Sequence, residues 1–122
     1  MLSKIVLACA FVLGTAVPAL ADASSCAEPI APAAVDGNTA TLQQMKDAVA
    51  DVKNFIKASD DFQACIIGDL TAQERQAKKD KKPFDTTIAD AVQARVDANQ
   101  KLKEKVGGEY NAAAVAYKAK HP

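Results

Sequence analysis

The sequence predicts an all-α protein: a disulfide-stapled antiparallel helical hairpin with an extended, proline-containing N-terminal arm. Three observations carry that expectation. Two long stripes of apolar residues recur at spacings of three and four. Alanine dominates the apolar composition, while large side chains are few. An N-terminal leader takes away one of the three cysteines and leaves a single pair.

Residues 1–21 read as a secretory signal peptide. Lys4 precedes an apolar run from Ile5 to Leu20, and Ala19-Leu20-Ala21 supplies a small-x-small cleavage site. A membrane span needs about 20 apolar residues; this run is shorter and carries Gly14 and Pro18. A lipoprotein signal does not fit, because Cys9 sits too early and Ala23-Ser24-Ser25 before Cys26 lacks a large aliphatic residue. The expectation is a mature chain, residues 22–122, cleaved after Ala21 and located in the periplasm or medium of a Gram-negative bacterium, with no transmembrane span after cleavage.

Cleavage removes Lys4 and no acid, so 14 basic residues face 15 acidic ones. Near-neutrality argues against a nucleic-acid binder, whose domain concentrates Lys and Arg. About one hundred residues make a single domain. Leu, Ile, Val and Phe number only 18 in residues 22–122, against 21 alanines. Alanine is the strongest helix former but buries little area, so a chain of this kind is helical, thinly cored and in need of a staple.

Cys26 and Cys65 provide the staple, as an even pair in an oxidising compartment. Closing a loop of about 40 residues stabilises by roughly 4 kcal/mol in the chain-entropy model. An intermolecular bridge or a reactive thiol are the alternatives. No Cys/His spacing suggests a metal or redox site, and no cofactor is expected.

Residues 22–40 form the arm: Pro29, Pro32 and many small residues favour extended geometry, and Asp36-Gly37 marks a turn. Helix 1 occupies 41–80. Thr41 and Gln44 make a capping box, and Leu42, Met45, Val49, Val52 and Ile56 line one face, continued by Phe55, Phe62, Cys65, Ile66 and Leu70. Pro83 closes the connection. Helix 2 occupies 85–119, capped by Asp85, with Ile88, Val92, Val96, Asn99, Leu102, Val106, Tyr110, Ala113 and Tyr117 in its stripe. The stripe runs through Gly107-Gly108, and matched lengths of roughly 57 and 50 Å favour a kinked but continuous second helix. A second capping box, Thr71 with Glu74 after Gly68, offers a division into three or four shorter helices. The arm is long enough to run back from Thr41 and place Cys26 on Cys65, with Ile30 and Val35 covering apolar surface.

Chemistry-bearing candidates are few. Asp60 and Asp61 diverge by about 100° on a helix and do not converge on one atom. His121 is the only histidine and stands beside the C-terminus, where chains fray. No nucleophile, base or metal set converges, so an enzyme is not expected. The strongest polar feature is the basic tip Arg75, Lys78, Lys79, Lys81 and Lys82, which could meet anionic lipid or polymer or simply suit the negative end of the helix dipole. Asn99, polar within an apolar stripe, either fixes helix register or faces solvent.

Cys26 with Pro29 and Pro32, Asp36-Gly37, Ala40-Thr41, Gln63-x-Cys65, Asn99-Gln100, Lys105-Val106-Gly107 and the ending Tyr117-Lys118 with His121-Pro122 resemble a group of small exported proteobacterial proteins that carry no assigned activity. The resemblance covers the mature chain and implies export without naming a reaction. Leu70-Thr71-Ala72-Gln73 is similar to part of the Leu-Thr-x-x-Gln signature of Spy-like periplasmic chaperones, but Glu74 stands where that signature needs Gln. The functional expectation is a non-enzymatic protein-interaction or client-binding module of the envelope, using Leu42, Met45, Val49, Val52 and Ile56 as its apolar surface. The alternative is binding of anionic lipid or polymer through the basic tip. A protein partner or a second copy, as a homodimer, would bury the remaining stripe.

Overall fold

The structure, a computed structural model, describes residues 26–122; the expected leader and residues 22–25 of the arm lie outside the described residues. Two helices account for the fold: α1 spans Leu42–Lys79 and α2 spans Thr86–Lys120, and they pack against each other as an antiparallel hairpin. No strand occurs among the described residues.

Local chemistry sets each helix end. Thr41 Oγ1 accepts from Gln44 N at 3.2 Å, and Gln44 Oε1 accepts from Thr41 N at 2.8 Å, so the capping box of the sequence forms. Asp85 accepts from Thr87 N at 2.9 Å and caps α2. The far end of α1 closes in a Schellman motif: Lys82 N donates to Ala77 O at 2.9 Å and Lys81 N to Lys78 O at 3.2 Å. Lys81 takes the left-handed position at φ 53°, where glycine is usual.

Neither helix breaks at its glycines. α1 continues through Gly68, and Thr71, rather than capping a new helix, donates to Ile67 O at 2.9 Å within the same one. α2 continues through Gly107-Gly108. A β-carbon at any of the three would meet nothing within 4 Å, so none is there for close packing. Val106 and Ala113 are buried on either side of Gly107-Gly108, while Gly68 follows the buried Ile66 and precedes the half-buried Leu70 and Thr71; such packing outweighs the local propensity loss.

The arm is the third layer. From the Cys26–Cys65 bridge, with Cα atoms 5.7 Å apart, it runs back beside α1 to Thr41. Its last turn is a local clasp: Asp36 O accepts from Ala40 N at 2.9 Å, and the Asp36 carboxylate accepts from Asn38 N at 2.9 Å. Those Asn38 hydrogen bonds, backbone first, hold the Asp36 carboxyl below its usual range. Gly37 is buried in this turn without a positive φ. What demands glycine is proximity: a β-carbon here would fall 2.6 Å from the Ala113 carbonyl carbon and 2.9 Å from its Cα. Val35 packs as the sequence expects, whereas Ile30 points outward, 93% exposed.

Apolar burial concentrates in two clusters joined by a polar link. Near the bridge, Cys26, Phe62 and Ile66 pack with Val92 and Val96. At the open end of the hairpin, Ala40, Met45 and Ala113 pack with Val35, Tyr110 and Tyr117. Between them Asn99 is 1% exposed; it donates to Ser59 Oγ at 3.3 Å and accepts from Gln63 Nε2 at 2.8 Å. The solvent-facing alternative for Asn99 is therefore wrong, and its hydrogen bonds to Ser59 and Gln63 tie α2 to α1.

Candidate interaction surface

The two-helix seam has two sides, and they are treated differently. On one side the arm fills the crevice: Pro32, Ala33, Ala34 and Val35 lie over Ala48, Val52 and Val106. Arg95 joins this side too, its guanidinium 5.1 Å from the Phe62 ring centre and 3.8 Å from Glu28. On the other side nothing within the described chain covers the seam. There Leu42 and Ile67 remain 55% and 47% exposed.

Near the open end this uncovered side deepens into a groove of about 270 Å³ between Leu42, Met45 and Val49 of α1 and Tyr110, Ala114 and Tyr117 of α2. Helix spacing puts Leu42, Val49, Ile56 and Ile67 within one third of a turn of each other. Lys46 and Lys118 stand at the groove, one on each helix, and neither enters an ion pair among the described residues. Farther along, Lys103 of α2 pairs with Asp60 of α1 and bridges the seam. The C-terminal wall is firmer than expected. His121 stacks on Tyr117 with centroids 4.2 Å apart, and its backbone N donates to Tyr117 O at 3.1 Å.

The five residues read from the sequence as an apolar interface thus separate. Leu42, Met45 and Val49 line the open groove, with Met45 itself buried; Ile56 is half-buried in the seam; Val52 lies on the side under the arm. Tyr110 and Tyr117, read as core from their spacing, supply the opposite wall together with Ala114. The basic tip is exposed throughout: Arg75, Lys78, Lys79, Lys81 and Lys82 flank Asp80, which accepts from Gln76 at 3.1 Å. Lys57, on an outer face of α1, donates to Asp61 at 2.6 Å, and that hydrogen bond holds its ammonium above the usual range.

The bridge has one close polar neighbour. Asp69 Oδ2 lies 3.4 Å from Cys26 Sγ; a bridged sulfur carries no proton, so this is an approach and not a hydrogen bond. Cys26, Cys65 and Asp69 form the one His/Cys/Asp/Glu set among the described residues close enough to share an ion, but the two sulfurs are bonded to each other. No helix of the described residues is long and apolar enough to cross a membrane. No family model, curated protein or solved structure matches this chain.

Proposed function

We propose that this chain is an exported, non-enzymatic interaction module of the cell envelope, which holds a protein partner or unfolded client on the side of the seam opposite the arm. One observation supports the reading above the others. The arm covers one side of the seam completely enough to bury Gly37 against Ala113, while the other side keeps Leu42, Val49, Ile56 and Ile67 together with an open apolar groove. Contiguous apolar surface of that kind marks an interaction site. Export rests on the leader of residues 1–21, and the Cys26–Cys65 bridge is compatible with an oxidising compartment.

A photo-reactive residue placed at Leu42 or Ile67 tests this directly in intact cells. Discrete covalent adducts are expected at those two positions and not at Asn54, which is exposed on the outer face of α1. Equal labelling at Asn54, or none at any position, refutes the proposal. The second reading, electrostatic binding through the tip, draws on five exposed cations, none of them in an ion pair among the described residues. It is the weaker one because the cluster is local and interleaved with Asp80, whereas the apolar stripe extends along both helices. Release of the protein from envelope fractions by salt alone would reverse the order.

A further inference from the structure

The groove at the open end carries a statement about its partner that the apolar stripe alone does not. Its walls are Leu42, Met45 and Val49 against Tyr110, Ala114 and Tyr117, and a lysine stands on each helix beside it, Lys46 and Lys118. Both are without an ion pair among the described residues. Lys53, two turns beyond Lys46 on the same side, is unpaired as well. Asp60, the next acid on this side of α1, is taken by Lys103. Asp47 leaves from a neighbouring face, where it accepts from Gln43 at 2.8 Å, and Asp51 projects about 140° away from Lys46. The groove is therefore apolar in its floor and singly signed at its edges.

From this, and resting on the interaction reading above, we infer that the occupant is a short acidic amphipathic helix whose apolar stripe lies on Leu42–Val49 and Tyr110–Tyr117 and whose flanking carboxylates meet Lys46 and Lys118. The length suits a helix of few turns: Leu42 to Val49 covers about 10 Å, and the Lys103–Asp60 bridge crosses the seam beyond it. Such a helix would be the third rod on this side of the seam, as the arm is on the other, in the helix-in-groove mode of recognition. A second copy of the chain fits less well. A two-fold axis through the groove sets Lys46 and Lys118 of one copy against the same lysines of the other.

The test uses two synthetic helices of about 14 residues, four turns, with identical Leu/Ala faces and no aromatic residues, one flanked by Glu and the other by Lys. Both of the protein's tyrosines wall the groove and it has no tryptophan, so intrinsic emission reports occupancy without a label. The acidic helix should bind about tenfold more tightly than the basic one at low salt. That margin should collapse near 1 M salt, where screening acts within about 3 Å, and K46E/K118E should invert it. A Val49→Glu variant with unchanged helix content should bind neither helix. Equal affinity for the two helices overturns the acidic assignment and leaves the interaction proposal standing. Failure of both, with no adducts at Leu42 or Ile67, overturns the two proposals together. Occupancy by decanoate but by neither helix, or a stable dimer cross-linked through Leu42, overturns this inference and reassigns the groove to an acyl chain or to a second copy.

Discussion

Gly37 and Gly108 are both glycines, yet replacing them with alanine should move stability in opposite directions. At Gly37 a new β-carbon falls 2.6 Å from the Ala113 carbonyl carbon and closer still to its oxygen. Relief requires the arm to lift by about 1 Å or more, and overpacking of this severity costs about 2–3 kcal/mol. The arm cannot slide away freely, since the bridge holds one end and the Asp36 clasp holds the other. At Gly108 the same atom meets nothing within 4 Å, and alanine gains nearly 1 kcal/mol of helix propensity, or about 0.8. For a domain of this size 1 kcal/mol shifts Tm by about 4–8 °C. Thermal unfolding followed by circular dichroism should show Gly37→Ala lowered by at least about 8 °C and Gly108→Ala raised by about 3–6 °C. Because the clash is with the Ala113 backbone, adding Ala113→Gly should not rescue Gly37→Ala. A Gly37→Ala protein melting within about 2 °C of wild type, or one rescued by Ala113→Gly, refutes the close-approach account.

Three further outcomes follow from features of the hairpin. Lys81→Gly removes a left-handed residue that costs about 1 kcal/mol in a non-glycine, so urea unfolding should show a stabilised protein with an unchanged slope. Asn99→Ala strips partners from Ser59 and Gln63 in a buried site and should cost about 2–3 kcal/mol, whereas Asn99→Leu with Ser59→Ala should recover most of that loss while letting cysteine cross-links across the seam report mixed register. The advantage of wild type over Asp36→Ala should be present above the unfolded carboxylate value and disappear as pH falls through the depressed folded value, because the Asn38 hydrogen bonds favour the ionised form; a gap that persists unchanged at acid pH refutes the clasp.

Much of this fold was legible because its signals are local or covalent. The Thr41–Gln44 box, the Asp85 cap and the apolar stripes each need only a few neighbouring residues to be read. The bridge followed from counting cysteines. Helix continuity through Gly107-Gly108 was a matter of weighing a per-residue propensity loss against a stripe that spans both sides, and length favoured the continuous helix that forms; at Gly68 the second capping box left a split open, and α1 runs through it. What stayed illegible depends on a third body. Ile30 is outside, and the arm has no periodic stripe that would record which of its side chains turn inward. Asp36-Gly37 read as a turn and forms one, but a sequence cannot show the Ala113 backbone that approaches Gly37. Tyr110 and Tyr117 read as core and do pack on the Ala40, Met45 and Ala113 cluster; that their outer sides also wall a groove is what the stripe does not show. That Asp60 neutralises Lys103 and leaves Lys46 and Lys118 unpaired is likewise a cross-helix fact.

The position of the bridge also decides how this molecule carries tension. Cys26 begins the described arm, and its sulfur is joined to Cys65, midway along α1 and 39 residues on. A pull applied between the two ends enters at Cys26, crosses directly to Cys65 and continues through the remainder of α1 into α2. The intervening residues bear no load while the bridge is intact. Extension is then limited to about 200 Å of unravelled chain beyond Cys65, where an unbridged chain from Cys26 would yield about 340 Å. The groove divides along the same line. Leu42, Met45 and Val49 belong to the shielded ring, and Tyr110 and Tyr117 to the loaded strand, so tension peels one wall from a site whose other wall stays in place.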